Sequence, residues 1–502
     1  MCTSFVFSLP TKTTSAERDK LLVQLEVAAH RVVKKWRLLA GKPVWLEKEK
    51  LWAIDVPDSL ETLGRPLVGF TSSRRNEPYH LAAGFSSPLP SLTSAPSAVF
   101  PSPDPSLFRH PDAPLTLSDH ATRNLPLLNL HATLCTNAFC VGVLLSHGIC
   151  DGAGMALVLR ALNAELHGEE WDAPPLEAVN PLAKAEKQLV VDETVAAIGK
   201  LERQESSFEW LWAPRTWLGG MKAKWSIRWE KWWYEVEDGF FYLNAKTVER
   251  VVQRVKREVQ EDTGGKEWVS SSDIVTAWLV KAAHSADPPS DALLVSSLYN
   301  PRPLLAQHAA DPSLLLYPHN AVAHYAALAP PTPLPTLFST SLAALALTFR
   351  RALDTARSLP ALQRLFRQHA AMPVREWPAV PFVPFLSGVQ THRVYVANHV
   401  GLGTAALSIP SPSRFSSSSA PSAPFSAPSS CPTPPDLPLL AFYWLSTQAA
   451  QGGLDGILML QHREASAADG GGWFGRGVLR RARWEALRRG LEKLEKEDGE
   501  GW

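Results

Sequence analysis

Residues Val141–Gly154 read VGVLLSHGICDGAG. Apolar residues run from Phe139 to Leu145, broken only by Gly142, a pattern that suits a strand buried on both faces. The run stops at Ser146-His147, and a glycine-flanked turn carries Asp151. From there Met155, Val158, Leu159, Leu162 and Leu166 fall at helical spacing, and Gly168 stands where a helix would end. A histidine at the tip of a buried strand, four residues before an Asp-Gly, is well placed to move a proton. With 15 histidines in the chain, H-x-x-x-D has about an even chance of arising by accident, and H-x-x-x-D-G roughly one in twenty. The surroundings must therefore carry the reading.

The chain has 502 residues, too many for one core, and implies two domains or three. Its net charge is +1, so no global field draws in nucleic acid, and no nucleic-acid motif is present. The five cysteines, Cys2, Cys135, Cys140, Cys150 and Cys431, lack metal-ligand spacing, and no metal is expected. Three of them lie in or beside apolar strands, as free thiols in a reducing compartment do, and the cytoplasm is the expected location. No secretory signal is expected, because no basic segment precedes an apolar run at the N-terminus. No apolar stretch approaches the length of a membrane span.

Along the chain, Thr14 and Glu17 form a capping box ahead of a helix built on Leu21, Leu25, Ala28, Ala29, Val32 and Val33. Val44–Leu46 and Leu51–Ile54 read as a strand pair, and 86–126, rich in Pro and Ser, as a loop. Strands are expected at Leu127–Thr136 and Phe139–Ser146. Residues 210–233 hold seven tryptophans, from Trp210 to Trp233. Two readings stand: a crossover whose rings pack on both lobes, or an interfacial helix making peripheral membrane contact. Strands follow at Gly239–Asn244, Leu293–Leu298, Arg393–Ala397, Leu439–Leu445 and Gly456–Leu460, and another from Tyr317 through Tyr325. Helices are expected at Ala245–Val259, Asp273–Ser285, 335–371 and Val478–Lys496. The Pro/Ser stretch 406–436 is expected to be disordered.

His147-Gly148-Ile149-Cys150-Asp151-Gly152 resembles the H-x-x-x-D-G signature of the BAHD acyltransferases, which include fungal trichothecene O-acetyltransferase-like transferases. Leu38-Leu39-Ala40-Gly41, Val269–Leu279, Asn300-Pro301-Arg302, Tyr317-Pro318-His319-Asn320 and Gly452–Leu458 are similar to further family segments, in family order. The family's D-F-G-W-G is not intact: Asn398, or His399 with one inserted residue, falls at its acidic position. In Y-x-G-N, His319 replaces glycine, a change expected to constrain that backbone.

The resemblance implies an α/β fold of two chloramphenicol-acetyltransferase-like lobes, each a mixed sheet with flanking helices. The expected division is 1–195 for the N-terminal lobe, 196–238 for a Trp-rich crossover, and 239–405 with 437–502 for the C-terminal lobe. The implied reaction moves an acyl group from acyl-CoA, a cosubstrate rather than a bound cofactor, to a small-molecule alcohol or amine, with the protein a monomer. His147 is the candidate general base, needing no covalent acyl-enzyme. The family match implies that Asp151 is structural and ion-paired with Arg302. Gly152 would let the backbone approach closely. Ser270 and Ser271 could face a CoA phosphate at a helix N-terminus or simply cap that helix. Ser387 resembles a family threonine and, with Asn398, completes the substrate or CoA candidates. Two alternatives remain: a condensation or alcohol-acetyltransferase relative, though Ser146 stands where condensation domains usually carry a histidine, and a catalytically silent binding or regulatory protein.

Overall fold

Two sheets carry the fold of this computed structural model, which describes residues 2–61, 63–89, 96–196, 235–371, 391–398, 402, 404–412, 436–445, 457–463 and 471–496. The strands are β1 Cys2–Ser8, β2 Lys42–Leu46, β3 Leu51–Asp55, β4 Gly69–Arg74, β5 Ala98–Pro101, β6 Asn129–Leu134 and β7 Ala138–Leu144. They continue with β8 Val236–Leu243, β9 Ala292–Tyr299, β10 Ala323–Pro333, β11 Thr391–Asn398, β12 Leu439–Leu445, β13 Ile457–Arg463 and β14 Gly472–Arg480. The helices are α1 Ser15–Lys35, α2 Tyr79–Ala82, α3 Leu117–Thr122, α4 Gly152–His167, α5 Pro181–Val191 and α6 Ala245–Thr263. After them come α7 Ser271–His284, α8 Arg302–Ala309, α9 Leu334–Ser339, α10 Leu342–Ala356, α11 Leu359–Ala371 and α12 Arg481–Lys496.

The first sheet has the order β12-β1-β7-β6-β4 and the second β10-β9-β11-β13-β14-β8-β5, while β2 and β3 form a separate hairpin. One face of the first sheet, with Phe5, Val141 and Val143, packs on the apolar stripes of α1 and α4. Burying such a stripe supplies about 1.5–3 kcal/mol for each large aliphatic side chain removed from water. The second sheet is covered in the same way by α6, α7, α10 and α12, through residues such as Val252, Trp278, Leu345 and Leu487. Both lobes are mixed sheets with flanking helices, the expected α/β class.

The structure corrects the division of the chain. β12, assigned by order to the C-terminal lobe, is an edge strand of the first sheet, paired antiparallel with β1, and Phe442 stacks on Phe5 at 4.9 Å. β5, from the stretch read as a loop, closes the second sheet beside β8, and α3 also lies in that stretch. Part of the stretch read as disordered is core: Ala406, Leu407 and Ile409 pack in the first lobe. Asn163 of α4 holds them, donating to the Ala406 carbonyl and accepting from the Ser408 N–H. Their Pro- and Ser-rich neighbours masked this short apolar run. The last helix starts at Arg481, because Val478–Arg480 belongs to β14. Tyr317–Asn320 precedes β10 instead of opening it. The Trp210–Trp233 segment lies outside the described residues, and no helix among the described residues is long and apolar enough to cross a membrane.

Candidate active site

β7 delivers the motif. Its Gly142 has no room for a side chain, since an added Cβ would stand 1.8 Å from the Phe108 carbonyl oxygen. The strand ends at Leu144, and the Ser146 carbonyl accepts from the N–H groups of Ile149 and Cys150 to form the turn. Asp151 then caps α4, its Oδ1 accepting from the Gly154 N–H at 2.8 Å. The cap satisfies a backbone donor that the first turn of a helix leaves unpaired.

Asp151 is 3% exposed and Arg302 1%, and Arg302 Nη2 donates to Asp151 Oδ1 at 2.9 Å. A buried pair of this kind survives only when its remaining polar atoms are satisfied. Arg302 Nε donates to the Tyr317 carbonyl at 3.2 Å, Nη1 to Asn300 Oδ1 at 3.0 Å, and Nη2 also to the His319 carbonyl at 2.5 Å. Asp151 Oδ2 accepts from the Ala321 N–H at 2.9 Å. Both carboxylate oxygens are thus engaged by Arg302 and backbone, so Asp151 is a positioning residue for the turn.

His147 is exposed, unlike its neighbours Ser146 and Cys150. Its ring reaches solvent from a crowded setting, and that burial lowers its pKa below the ordinary histidine value. Its own backbone carbonyl and the charge of Asp151 pull weakly the other way. A neutral imidazole is the form that can accept a proton. Cys150, wholly buried beside Asp151, has its thiol pushed up to about 12.

The opposite lobe meets this turn through Tyr317–Ala321. Cys150 and His319 form an isolated antiparallel bridge, and Asn320 Nδ2 donates to the His147 carbonyl at 2.6 Å. An added Cβ on Gly154 would stand 2.0 Å from the Pro318 carbonyl oxygen, so glycine is what permits this approach. His319 is not among the described residues with positive φ, so the imidazole in place of the family's glycine needs no left-handed backbone. Burial and the Arg302 charge lower the pKa of His319 to about 4. On the other flank, Leu117 of α3 packs where a Cβ on Gly148 would lie.

No family model matches the chain. It is 29% identical to the O-acetyltransferase PaAT-2 of Phomopsis amygdali, over 48% of this chain and 49% of that protein. It is 28% identical to the transcriptional regulator calD of Penicillium decumbens, over 46% of this chain and 44% of that protein. The chain therefore spans about half the length of the curated relatives it matches. The fold is that of F. graminearum TRI101 complexed with coenzyme A and deoxynivalenol: TM-score 0.57, 12% identity, covering 97% of this chain and 93% of that one. The chain thus shares the TRI101 fold, and its sequence likeness to proteins named as acetyltransferases covers about half its length.

Within this TRI101-like fold, the other described candidates lie at α4, α7 and β11. Gly152 is the first residue of α4 and is buried. Ser270 caps α7 in a capping box, donating to Asp273 Oδ2 at 2.8 Å, and Arg350 pairs with that carboxylate. Ser271 is the first residue of α7. No described contact links either serine to the His147 turn. Asn398 is the last residue of β11, in register with Leu460, and Ser387 lies outside the described residues. Sequence reasoning missed the carbonyls of Tyr317 and His319, the Ala321 N–H and Leu117, because backbone acceptors and packing partners leave no residue-type signature. The signal available was the order of Asn300-Pro301-Arg302 and Tyr317–Asn320, which marked both segments without saying that they meet.

Proposed function

We propose that this protein transfers an acyl group from acyl-CoA to a hydroxyl or amine of a small molecule, with His147 as general base. The observation that carries the reading is a solvent-open imidazole, its pKa lowered by burial, on a turn pinned where two lobes meet. A thioester carbonyl is already activated, whereas an alcohol at neutral pH is a poor nucleophile. His147 takes the hydroxyl proton as the oxygen attacks the thioester carbon. The C–S bond then breaks, and the same proton passes to the leaving thiolate, releasing free CoA. The Cys150 thiol, buried and held protonated, is unsuited to carry the acyl group, so transfer is direct. Complexes of TRI101 with coenzyme A and deoxynivalenol support this choice of substrates.

A second reading is a catalytically silent relative, motivated by the likeness to a protein named as a transcriptional regulator and by the absence of an acid at Asn398. Release of free thiol from a panel of acyl-CoAs, with alcohols and amines offered as acceptors, separates the two. Turnover by the parent protein that is lost in His147→Ala supports the transferase. Inactivity across the panel selects the silent reading.

A further inference from the structure

The stretch Tyr317–Ala321 docks on the motif turn, and most of its contacts serve Asp151 and Arg302. The Tyr317 and His319 carbonyls accept from Arg302, and the Ala321 N–H donates to Asp151. One contact reaches past that pair to the histidine. Asn320 Nδ2 lies 2.6 Å from the His147 carbonyl oxygen. A carbonyl only accepts, so the Asn320 side chain must present its amide nitrogen there. That carbonyl belongs to the residue that carries the imidazole, so the contact fixes the backbone from which the ring projects.

We propose that Asn320 is a positioning residue supplied by the opposite lobe: its amide clamps the His147 carbonyl and so sets the direction in which the imidazole projects. The base is therefore set only where the two lobes are docked. Asp151 and Arg302 hold the turn, whereas Asn320 acts on the orientation of the imidazole itself. His319, next to Asn320, contributes its backbone to Cys150 and Arg302. The inference rests on the reading of His147 as general base.

Its test uses the full chain, with acyl-CoA turnover measured beside histidine-selective 15N spectra in which His147→Ala identifies the His147 signals. Asn320→Ala removes the donor, and Asn320→Asp removes it at nearly constant shape. Both should lower kcat by about 30-fold through loss of base alignment. The KM for acyl-CoA should stay within about threefold, since no binding contact is removed. The spectra should show the His147 ring signals shifted from those of the parent, and melting should move by no more than about 2 °C. A variant that keeps kcat within about twofold with the His147 ring signals unchanged overturns the proposal alone, provided that His147→Ala is inactive. Loss of the fold in both variants overturns it too, since Asn320 would then be a structural staple. Full turnover in His147→Ala removes the reading of the site along with it.

Discussion

Two histidines in this protein each stand just before an aspartate that pairs with a buried arginine, and they end in opposite roles. In the C-terminal lobe, His284 Nδ1 lies 2.6 Å from Asp287 Oδ2, and Arg483 Nη2 donates to the same oxygen at 2.8 Å. His392 is 3.9 Å from Asp287 and 2.7 Å from Asp291. This histidine–aspartate pair has the look of a catalytic dyad, yet His284 is 0% exposed. At the motif turn the aspartate faces Arg302 and the backbone, while His147 is open to solvent. A short spacing between His and Asp thus says nothing about whether they bond. What separates a site from a structural knot is which member keeps access to solvent.

The sharpest way to break this contrast is to remove each histidine. His147→Ala should lower thiol release about 10³-fold while the melting temperature holds. His284→Ala should keep the rate within a few-fold but cost about 2–4 kcal/mol in urea unfolding, through the cavity and the unmade hydrogen bond. A rate loss in His284→Ala at unchanged stability would erase the distinction.

Removing the arginines comes next. Arg302→Met leaves the Asp151 carboxylate buried without its cation, and Arg483→Met does the same to Asp287; each should cost about 3–5 kcal/mol by denaturant titration. Only Arg302→Met should also slow folded protein, because only its aspartate orders the turn bearing His147. Asp151→Asn should act in the same direction and less strongly, as it keeps acceptors while losing the charge. Equal rates for the two arginine variants in their folded populations would count against this assignment.

Gly154→Ala tests the docking itself. The new Cβ must push the Pro318 carbonyl away, at about 1–3 kcal/mol, with loss of turnover and no local change at His284. Wild-type rates in this variant would show that the approach of the two lobes is not needed for turnover.

The gentlest probe is pH. Burial, helped by the charge of Arg483 and opposed by Asp287, lowers the pKa of His284 from 6.5 to about 4 in the folded chain. Between those values the unfolded chain binds a proton that the folded chain refuses. The stability this histidine protects is complete above about pH 6.5 and drains as pH falls toward 4, by at most about 1.4 kcal/mol per pH unit. His284→Asn should flatten urea-midpoint profiles in that window; an unaltered slope would mean that the site does not titrate as described. Asp287 adds to the slope only as pH falls to about 4, because the hydrogen bond from His284 and the Arg483 charge overcome its burial and hold it well below the usual carboxylate range in the folded chain.

Local pattern made a large part of this molecule legible. The capping box at Thr14 and Glu17, the apolar run of β7, the Asp151 cap and the stripe of α4 all depend on neighbours within a few residues. The motif itself was visible, and the family order marked Arg302 and Tyr317–Asn320 as relevant. Lobe ownership was not legible. β1 and β12 are short apolar strands that would suit either sheet, and their pairing across some 440 residues is decided by which edge is free. β5 was hidden in Pro- and Ser-rich surroundings and acquires its structure by pairing with β8.

The same division runs through the site. That a histidine ends a buried strand and an aspartate caps the following helix follows from residue order, since each is satisfied within one turn of chain. That Asp151 turns to Arg302, that Asn320 holds the His147 carbonyl, and that Gly154 lies under Pro318 depend on contacts between distant segments. Those contacts exist only after two cores have formed and met, and no sequence spacing encodes them.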